Sequence, residues 1–375
     1  MRDRYRSWIE ISKKNLLGNF SVFKKLAGRA NVACVVKANA YGHGLTEIVS
    51  ILKNRADLFA VDSLEEAYAA SSVADNKPIL ILGYVPTFQL KEAVAADLSL
   101  TVYNLETLKD VASLKMKVKV HLKIETGLNR QGIKLADLPK FTDFVKKNKN
   151  IQVEGISTHF ANIEDTLDPS FAGFQIANFK KALDILKKAE LHPKYIHAAA
   201  SAATIIYAKK TNFSLIRSGI GLYGLWPSRE TRIAAKTLKK KIELKPVLSW
   251  KSIVAQVKEI KIGESVGYGR AWVASRDSKI AVVPIGYYDG FDRKLSNSGR
   301  VIIRGQYAPV VGRVAMNMTM VDVTEIPKVS LEDEVVIIGK QAKAEVTAEE
   351  IADKLGTINY EVVSRINPDL PRVTV

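Results

Sequence analysis

The chain has 375 residues, of which 47% are hydrophobic and 25% charged, with one cysteine and a formal net charge of +17. That length suits roughly two to three domains of about 100–200 residues each, the composition excludes a disordered or fibrous chain, and a lone Cys34 excludes an intramolecular disulfide. No run is apolar over the length of a signal peptide or a membrane span, and no Cys/His spacing points to zinc; the sequence reads as a cytoplasmic globular protein.

Such a charge raises the question of nucleic acid, because clustered cations attract phosphate. Here they are dispersed: Lys180-Lys181, Lys187-Lys188 and Lys239–Lys241 fall on stretches with helical patterning. No helix-turn-helix, zinc-finger or aromatic RNA motif accompanies them. Solvated helix faces account for them best, and the expected partner is a small molecule rather than nucleic acid or membrane.

In chain order, Trp8–Ala27 reads as a strand followed by a helix. The next stretch, Val32-Ala-Cys-Val-Val-Lys37, is an apolar run ending in a lysine, followed by the polar, glycine-punctuated segment Ala38-Asn-Ala-Tyr-Gly-His-Gly44. Small and β-branched residues without alternation read as a parallel strand covered on both faces. Ligands of α/β folds bind at the carboxyl ends of such strands. An amine placed there can lose solvation and become a nucleophile towards a carbonyl.

Further candidate strands follow at Asp57–Val61, Ile79–Gly83, Leu98–Val102, Val118–Glu125, Gln152–His159, Tyr195–Ala198 and Phe213–Arg217. Helical periodicity lies between them, clearest in Ser63–Ala74, after Asn104 and in Phe171–Ala189. Eight such strands with Val32–Val36 suit a (β/α)8 barrel, a TIM barrel, better than an open sheet. Beyond about Leu225 the pattern changes. Arg229–Lys241 is a charged helix or linker, and alternating runs at Val247–Ile260, Lys279–Ile285, Arg300–Val311 and Glu334–Gly339 predict a mostly β domain. Thr347-Ala-Glu-Glu350 has capping-box spacing and opens a helix over Thr347–Leu355. The expected division is a barrel over residues 8–230 and a mostly β domain over 240–375, with residues 1–10 open to joining the second.

Polar groups gather where barrel strands end. Lys123-Ile-Glu-Thr-Gly-Leu-Asn-Arg130 follows one strand, His159 ends the next and His197 the one after. Arg217-Ser-Gly-Ile-Gly-Leu-Tyr-Gly224 follows the last, and the N–H groups of Gly219 and Ile220 suit a phosphate. In the β domain, Ser265-Val-Gly-Tyr-Gly-Arg270, Pro284-Ile-Gly-Tyr-Tyr-Asp-Gly290, Gly312-Arg-Val-Ala-Met-Asn-Met318 and Thr357-Ile-Asn-Tyr-Glu-Val362 stand out as polar, glycine-bearing turns.

Taken together, these motifs resemble those of alanine racemase, a fold-type III family that uses pyridoxal 5′-phosphate (PLP). The resemblance covers nearly the whole chain and implies a PLP-binding barrel followed by a β domain. It implies that Lys37 holds PLP as a Schiff base, with Tyr41, His197, Ser201, Arg217, Gly219, Ile220 and Tyr360 completing the cofactor site. Ser201 and Tyr360 would bind the phosphate, His197 would pack on the ring and orient an arginine, and Arg217 would face the pyridine nitrogen. A guanidinium there stays charged and disfavours protonation of that nitrogen, which shortens carbanion lifetime. Racemisation would use two bases, Lys37 on the D side and Tyr268 on the L side. Arg130 and the Met316 N–H would hold the substrate carboxylate, with Lys123, His159 and Tyr287 in support. The resemblance further implies D-alanine supply for peptidoglycan and a head-to-tail homodimer that shares its active sites.

The sequence departs from the family pattern at Asn129, where a glycine is usual, at Ala200, where an asparagine is usual, and at Ala315 and Asn317. Three other readings stand beside alanine racemisation: a broader-specificity amino-acid racemase, a decarboxylase of the same fold type, and a non-catalytic PLP-binding barrel protein. The Arg217 motif speaks against the second, and residues 240–375 against the third.

Overall fold

The computed structural model describes residues 5–375. The chain divides into two compact units: Asn15–Ala40 with Ile48–Lys245, and the segment up to Lys14 with Tyr41–Glu47 and Pro246–Val375. Among the described residues no helix is long and apolar enough to cross a membrane.

The first nine strands are β1 (Ser7–Ile11), β2 (Asn31–Val35), β3 (Leu58–Val61), β4 (Ile79–Ile81), β5 (Ser99–Val102), β6 (Val118–Lys123), β7 (Ile151–Ser157), β8 (Tyr195–His197) and β9 (Leu215–Ser218). Strands β2 to β9 form an eight-stranded sheet in the order β8-β7-β6-β5-β4-β3-β2-β9, every ladder parallel. Its ends approach each other: the Ser214 N–H donates to Ile196 O at 3.1 Å and the Arg217 N–H to Ala199 O at 3.0 Å. This is the (β/α)8 barrel expected from the alternating pattern. Several of its strands are buried on both faces, as in Leu58–Val61 and Ser99–Val102, where every residue is buried.

Local chemistry sets where the helices begin. Ser63 and Asn104 are N-caps whose side chains accept from Glu66 N at 3.3 Å and Thr107 N at 2.7 Å, which satisfies one orphan donor of each first turn. Both helices follow a barrel strand directly, so the caps fix the turns at the mouth.

In the second unit, β1 pairs antiparallel with Leu248–Ile253, Ile9 opposite Trp250, and parallel with Arg372–Thr374. The sheet runs on through Glu334–Gln341 and Arg300–Ile303 to Gln306–Pro309. Trp250 and Phe291 fill its core with rings 6.3 Å apart. A three-stranded sheet joins Gln256–Ile260, Ser278–Val283 and Thr319–Asp322. The run Val247–Ile260, continuous in sequence, is therefore two strands. The chain changes sheets at Val254 and Ala255, whose N–H groups donate to Asp333 O and to Val282 O respectively. Arg300–Val311 likewise folds back on itself, because Arg304 and Gly305 both have positive φ (51° and 76°), the two-residue turn whose twist suits a hairpin.

Candidate active site

Lys37 follows β2, and its amine lies 2.9 Å from Asp62 Oδ1, just beyond β3, with both side chains about half exposed. The backbone after it is unusual. Ala38, Asn39, Ala40 and Tyr41 all have φ between 52° and 54°, four successive left-handed residues without a glycine, a conformation costing roughly 1–2 kcal/mol per residue. Glu66 holds the start of this turn: Oε1 accepts the Ala38 N–H at 2.6 Å and Oε2 the Asp62 N–H at 2.8 Å. One carboxylate thus ties the lysine loop to the aspartate that pairs with the lysine.

The other barrel candidates sit at neighbouring strand ends. Lys123 closes β6 and donates to Gln131 Oε1 at 3.0 Å. Burial, then the nearby charges of Arg130, Arg217 and Lys37, push its amine down to about 8. His159 lies two residues past β7. Burial, followed by Arg217, Arg130, Lys123 and Lys37, pushes its imidazole down to about 3, so it is neutral at neutral pH. Lys37, Lys123, Arg130, His159 and Arg217 all stand at or just beyond the carboxyl ends of β2, β6, β7 and β9, and so share one end of the barrel. Asn129, one of the departures, has φ 53°, and asparagine is the side chain that most readily replaces glycine there.

Arg217 is buried, and both of its terminal nitrogens are engaged. Nη1 donates to His197 Nδ1 at 2.6 Å and to His197 O at 3.0 Å, while Nη2 donates to Thr158 O at 2.8 Å and Ala198 O at 2.9 Å. Its plane is therefore fixed by β7, β8 and the turn after β8. Ser201, the first residue of the helix Ser201–Thr211, accepts from the N–H groups of Gly219 and Gly221, both at 3.2 Å. A Cβ on Gly221 would lie 2.3 Å from Phe23 Cζ, so only glycine lets this turn pack against Phe23. Ile220 is buried beside it in the short helical turn Ile220–Tyr223. Ala200 occupies the N-cap of Ser201–Thr211 without a capping side chain.

In the second unit, Tyr41 and Tyr360 have their rings 6.2 Å apart. Tyr360 belongs to the helix Asn359–Ser364, which the sequence pattern did not predict. Tyr268 lies at the tip of the hairpin Ser265–Val266/Trp272–Val273 and is 71% exposed. A Cβ on Gly269 would sit 3.3 Å from the Arg313 guanidinium carbon, which seats the hairpin tip on the Gly312–Met318 segment. The Tyr287 and Tyr288 N–H groups donate to Ala315 O at 3.1 Å and Met316 O at 3.0 Å. Three of the sequence motifs thus converge on one surface and present Tyr268, Tyr287, Tyr288, Met316 and Met318, all exposed.

The family model described as the alanine racemase N-terminal domain matches residues 11–227, and that of the C-terminal domain matches residues 247–374. The chain belongs to the alanine racemase family. Members of this family of isomerases resemble it along its whole length. The alanine racemase of Leptospira interrogans is 38% identical over 380 residues, covering 100% of this chain and 97% of that one, and that of Methanococcus maripaludis is 37% identical, covering 98% of each. Among solved structures, alanine racemase from Clostridium difficile matches with a TM-score of 0.92 at 32% identity, covering 99% of this chain and 96% of that chain. Alanine racemase from Bacillus anthracis, solved with bound L-Ala-P, matches with a TM-score of 0.91 at 32% identity, covering 99% and 95%.

Several residues of this alanine racemase family member escaped sequence reasoning. Asp62 and Glu66 sit in Asp62-Ser-Leu-Glu-Glu66, whose Ser-x-x-Glu spacing is a visible helix start, but nothing in it signals contact with the lysine loop. Gly221 and Thr158 are likewise defined by partners on other strands and helices, Ser201 and Arg217 respectively, and Gln131 by Lys123. Among the described residues no group of three or more His, Cys, Asp or Glu side chains is placed to hold a metal ion.

Proposed function

We propose that this protein interconverts L- and D-alanine with PLP as cofactor. The observation that carries the reading is the barrel mouth, where the Lys37 amine, the fixed Arg217 guanidinium and the Ser201–Gly219–Gly221 turn occur together in a chain of this family. The residues present fit PLP: an amine at a strand end for its aldehyde, a hydroxyl and glycine N–H groups for its phosphate, and a planar cation with no proton to give at neutral pH for its ring nitrogen. Lys37, Tyr41, His197, Ser201, Arg217, Gly219, Ile220 and Tyr360 would hold it. When bound, PLP withdraws electrons from the substrate's α-carbon and so acidifies the proton there.

The protein's own groups then do the rest. Arg130 and the Met316 N–H bind the substrate carboxylate, a planar anion suited to a guanidinium. Lys37 Nζ takes or returns the α-proton on one face and Tyr268 Oη on the other. His159, kept neutral by burial and the surrounding cations, acts as a hydrogen-bonding partner for the tyrosine without adding a further charge. Lys123 and Tyr287 support Arg130 and the entrance. We read the exposed surface around Tyr268 as the part of a homodimer that enters the partner's barrel mouth, the site of a cytoplasmic enzyme supplying D-alanine for cell-wall peptidoglycan.

The test is incubation of the PLP-loaded protein with enantiopure L-alanine, followed by chiral chromatography. The expected result is approach to an equal mixture of enantiomers from either starting enantiomer. Unchanged L-alanine, or release of carbon dioxide, would overturn the reading.

A further inference from the structure

The interior of a (β/α)8 barrel is ordinarily filled by branched aliphatic side chains. Here a line of polar groups crosses it. Arg217 Nη1 lies 2.6 Å from His197 Nδ1, His197 Nε2 lies 2.8 Å from His121 Nδ1, and His121 Nε2 lies 3.2 Å from Glu154 Oε2. Glu154 Oε2 also accepts the Ser99 hydroxyl at 2.5 Å. His121 and His197 are wholly buried.

The chemistry of the two ends gives this line a single direction. A guanidinium has only donors and an ionised carboxylate only acceptors. His197 Nδ1 must therefore accept from Arg217, which leaves the proton of the neutral ring on Nε2. That proton is donated to His121 Nδ1, so His121 too carries its proton on Nε2, and donates it to Glu154. No other assignment of protons to two neutral rings satisfies all three contacts. Burial lowers the proton affinity of both imidazoles, Arg217 adding to the effect at His197 and Glu154 opposing it at His121, so neutral rings are what the surroundings favour.

Three features show that the place for His121 is built. The β6–β7 ladder shifts register there: Val120 pairs with Val153 but His121 pairs with Gly155, which makes Glu154 the extra residue of a bulge, a device that re-aims a side chain. Gly155 then leaves room for the ring, since a Cβ at that position would lie 2.2 Å from His121 Nδ1. The His121 ring also stacks on Tyr195, with centroids 5.8 Å apart.

We propose that His121 and Glu154 are positioning residues for Arg217: they hold His197 as its Nε2–H tautomer, so that Nδ1 remains an acceptor that fixes the guanidinium. The tautomer itself is independent of any reading of the activity; its consequence for turnover rests on the role proposed for Arg217 at the cofactor ring. The assignment gives two histidines that touch neither substrate nor solvent a defined proton, in the way that outer partners orient a functional imidazole.

The experiment is nitrogen NMR of the PLP-loaded protein labelled with ¹⁵N-histidine, whose five histidines are assigned by single substitutions. For His121 and His197, Nδ1 should resonate in the unprotonated range and Nε2 in the protonated range, at neutral pH. A proton on Nδ1 of either ring, or on both nitrogens, would overturn the proposal, whatever the protein catalyses. Kinetics supply the second arm. His121→Leu should lower kcat roughly 10- to 100-fold, the range found for outer partners that orient metal-bound histidines, with KM changed less than about twofold. His121→Asn, whose Oδ1 can take the place of Nδ1 as acceptor, should recover most of that loss. Equal losses in the two variants, or none in either, would mean that His121 only fills space.

Discussion

The two groups of candidate residues are held in opposite ways. At the barrel mouth Arg217, His197 and Ser201 are buried, and their polar groups engage the barrel's own backbone and side chains. On the β unit Tyr268 is 71%, Met316 54% and Tyr287 43% exposed. The buried set is preorganised by the same packing that stabilises the fold, because an unsatisfied buried group costs far more than an exposed one. The exposed set is presented rather than enclosed. Substitutions in the first should therefore register in both stability and activity, and substitutions in the second in activity alone.

The largest effects should separate function from stability. Tyr268→Phe should lower kcat by about 10²- to 10⁴-fold, the range for losing a positioned acid–base group, while unfolding free energy stays within about 0.5 kcal/mol of wild type. Lys37→Ala should remove essentially all racemisation and the visible absorbance of bound cofactor, again with little change in urea denaturation, since its ion pair with Asp62 is half exposed. Undiminished turnover in either variant would end that residue's assignment.

Arg217→Met probes the opposite pole. It strips the donors from three carbonyls and from His197 Nδ1, and should cost about 1–3 kcal/mol in urea unfolding for each acceptor left unsatisfied, besides its effect on activity. A loss below about 1 kcal/mol would contradict the contrast between the buried and the exposed set.

Acid should act on His159 at the barrel mouth. The unfolded-state imidazole takes up its proton near pH 6.5, whereas folded His159 does so only near 3. Between those values the unfolded state binds the extra proton, so stability falls as pH falls, by about 1.4 kcal/mol per pH unit for this group alone. Denaturant titrations at pH 7, 5.5 and 4 should show the decline, and His159→Phe should make it shallower; parallel pH profiles for the two proteins would refute the assignment.

The smallest effect lies at the N-cap of Ser201–Thr211. Ala200→Asn should raise stability by about 1 kcal/mol, the typical worth of a capping side chain. No rise in thermal midpoint would indicate that the first turn is already satisfied.

Which features are readable in the sequence depends on whether their signal is local. The eight barrel strands are legible because each is a short apolar run bounded by turn residues, and the helices after Ser63 and Asn104 because their apolar residues recur with helical periodicity. Lys37, Lys123, His159, His197 and Arg217 are legible as polar groups where apolar strands end. The sheet change at Val254–Ala255 is not, because the residues on either side have the same β preference and only partners distant in sequence, Asp333 and Val282, distinguish them. Nor is the left-handed turn over Ala38–Tyr41, since alanine and tyrosine do not choose that conformation locally and Glu66 helps impose it from the helix after β3. His121 and Glu154 look like alternation within ordinary strands; their relation appears only when the bulge brings them to one side.

Whether the exposed Tyr268 surface serves a barrel other than its own is measured most directly by complementation between inactive proteins. Lys37→Ala and Tyr268→Phe are mixed in equal amounts under conditions where subunit exchange is verified, and racemisation is assayed with L-alanine. A heterodimer then contains one site with both defects and one with neither, so random reassociation should restore about one quarter of wild-type activity per site. Verified exchange with no recovery would show that Tyr268 does not act across subunits, and would contradict the shared-site dimer.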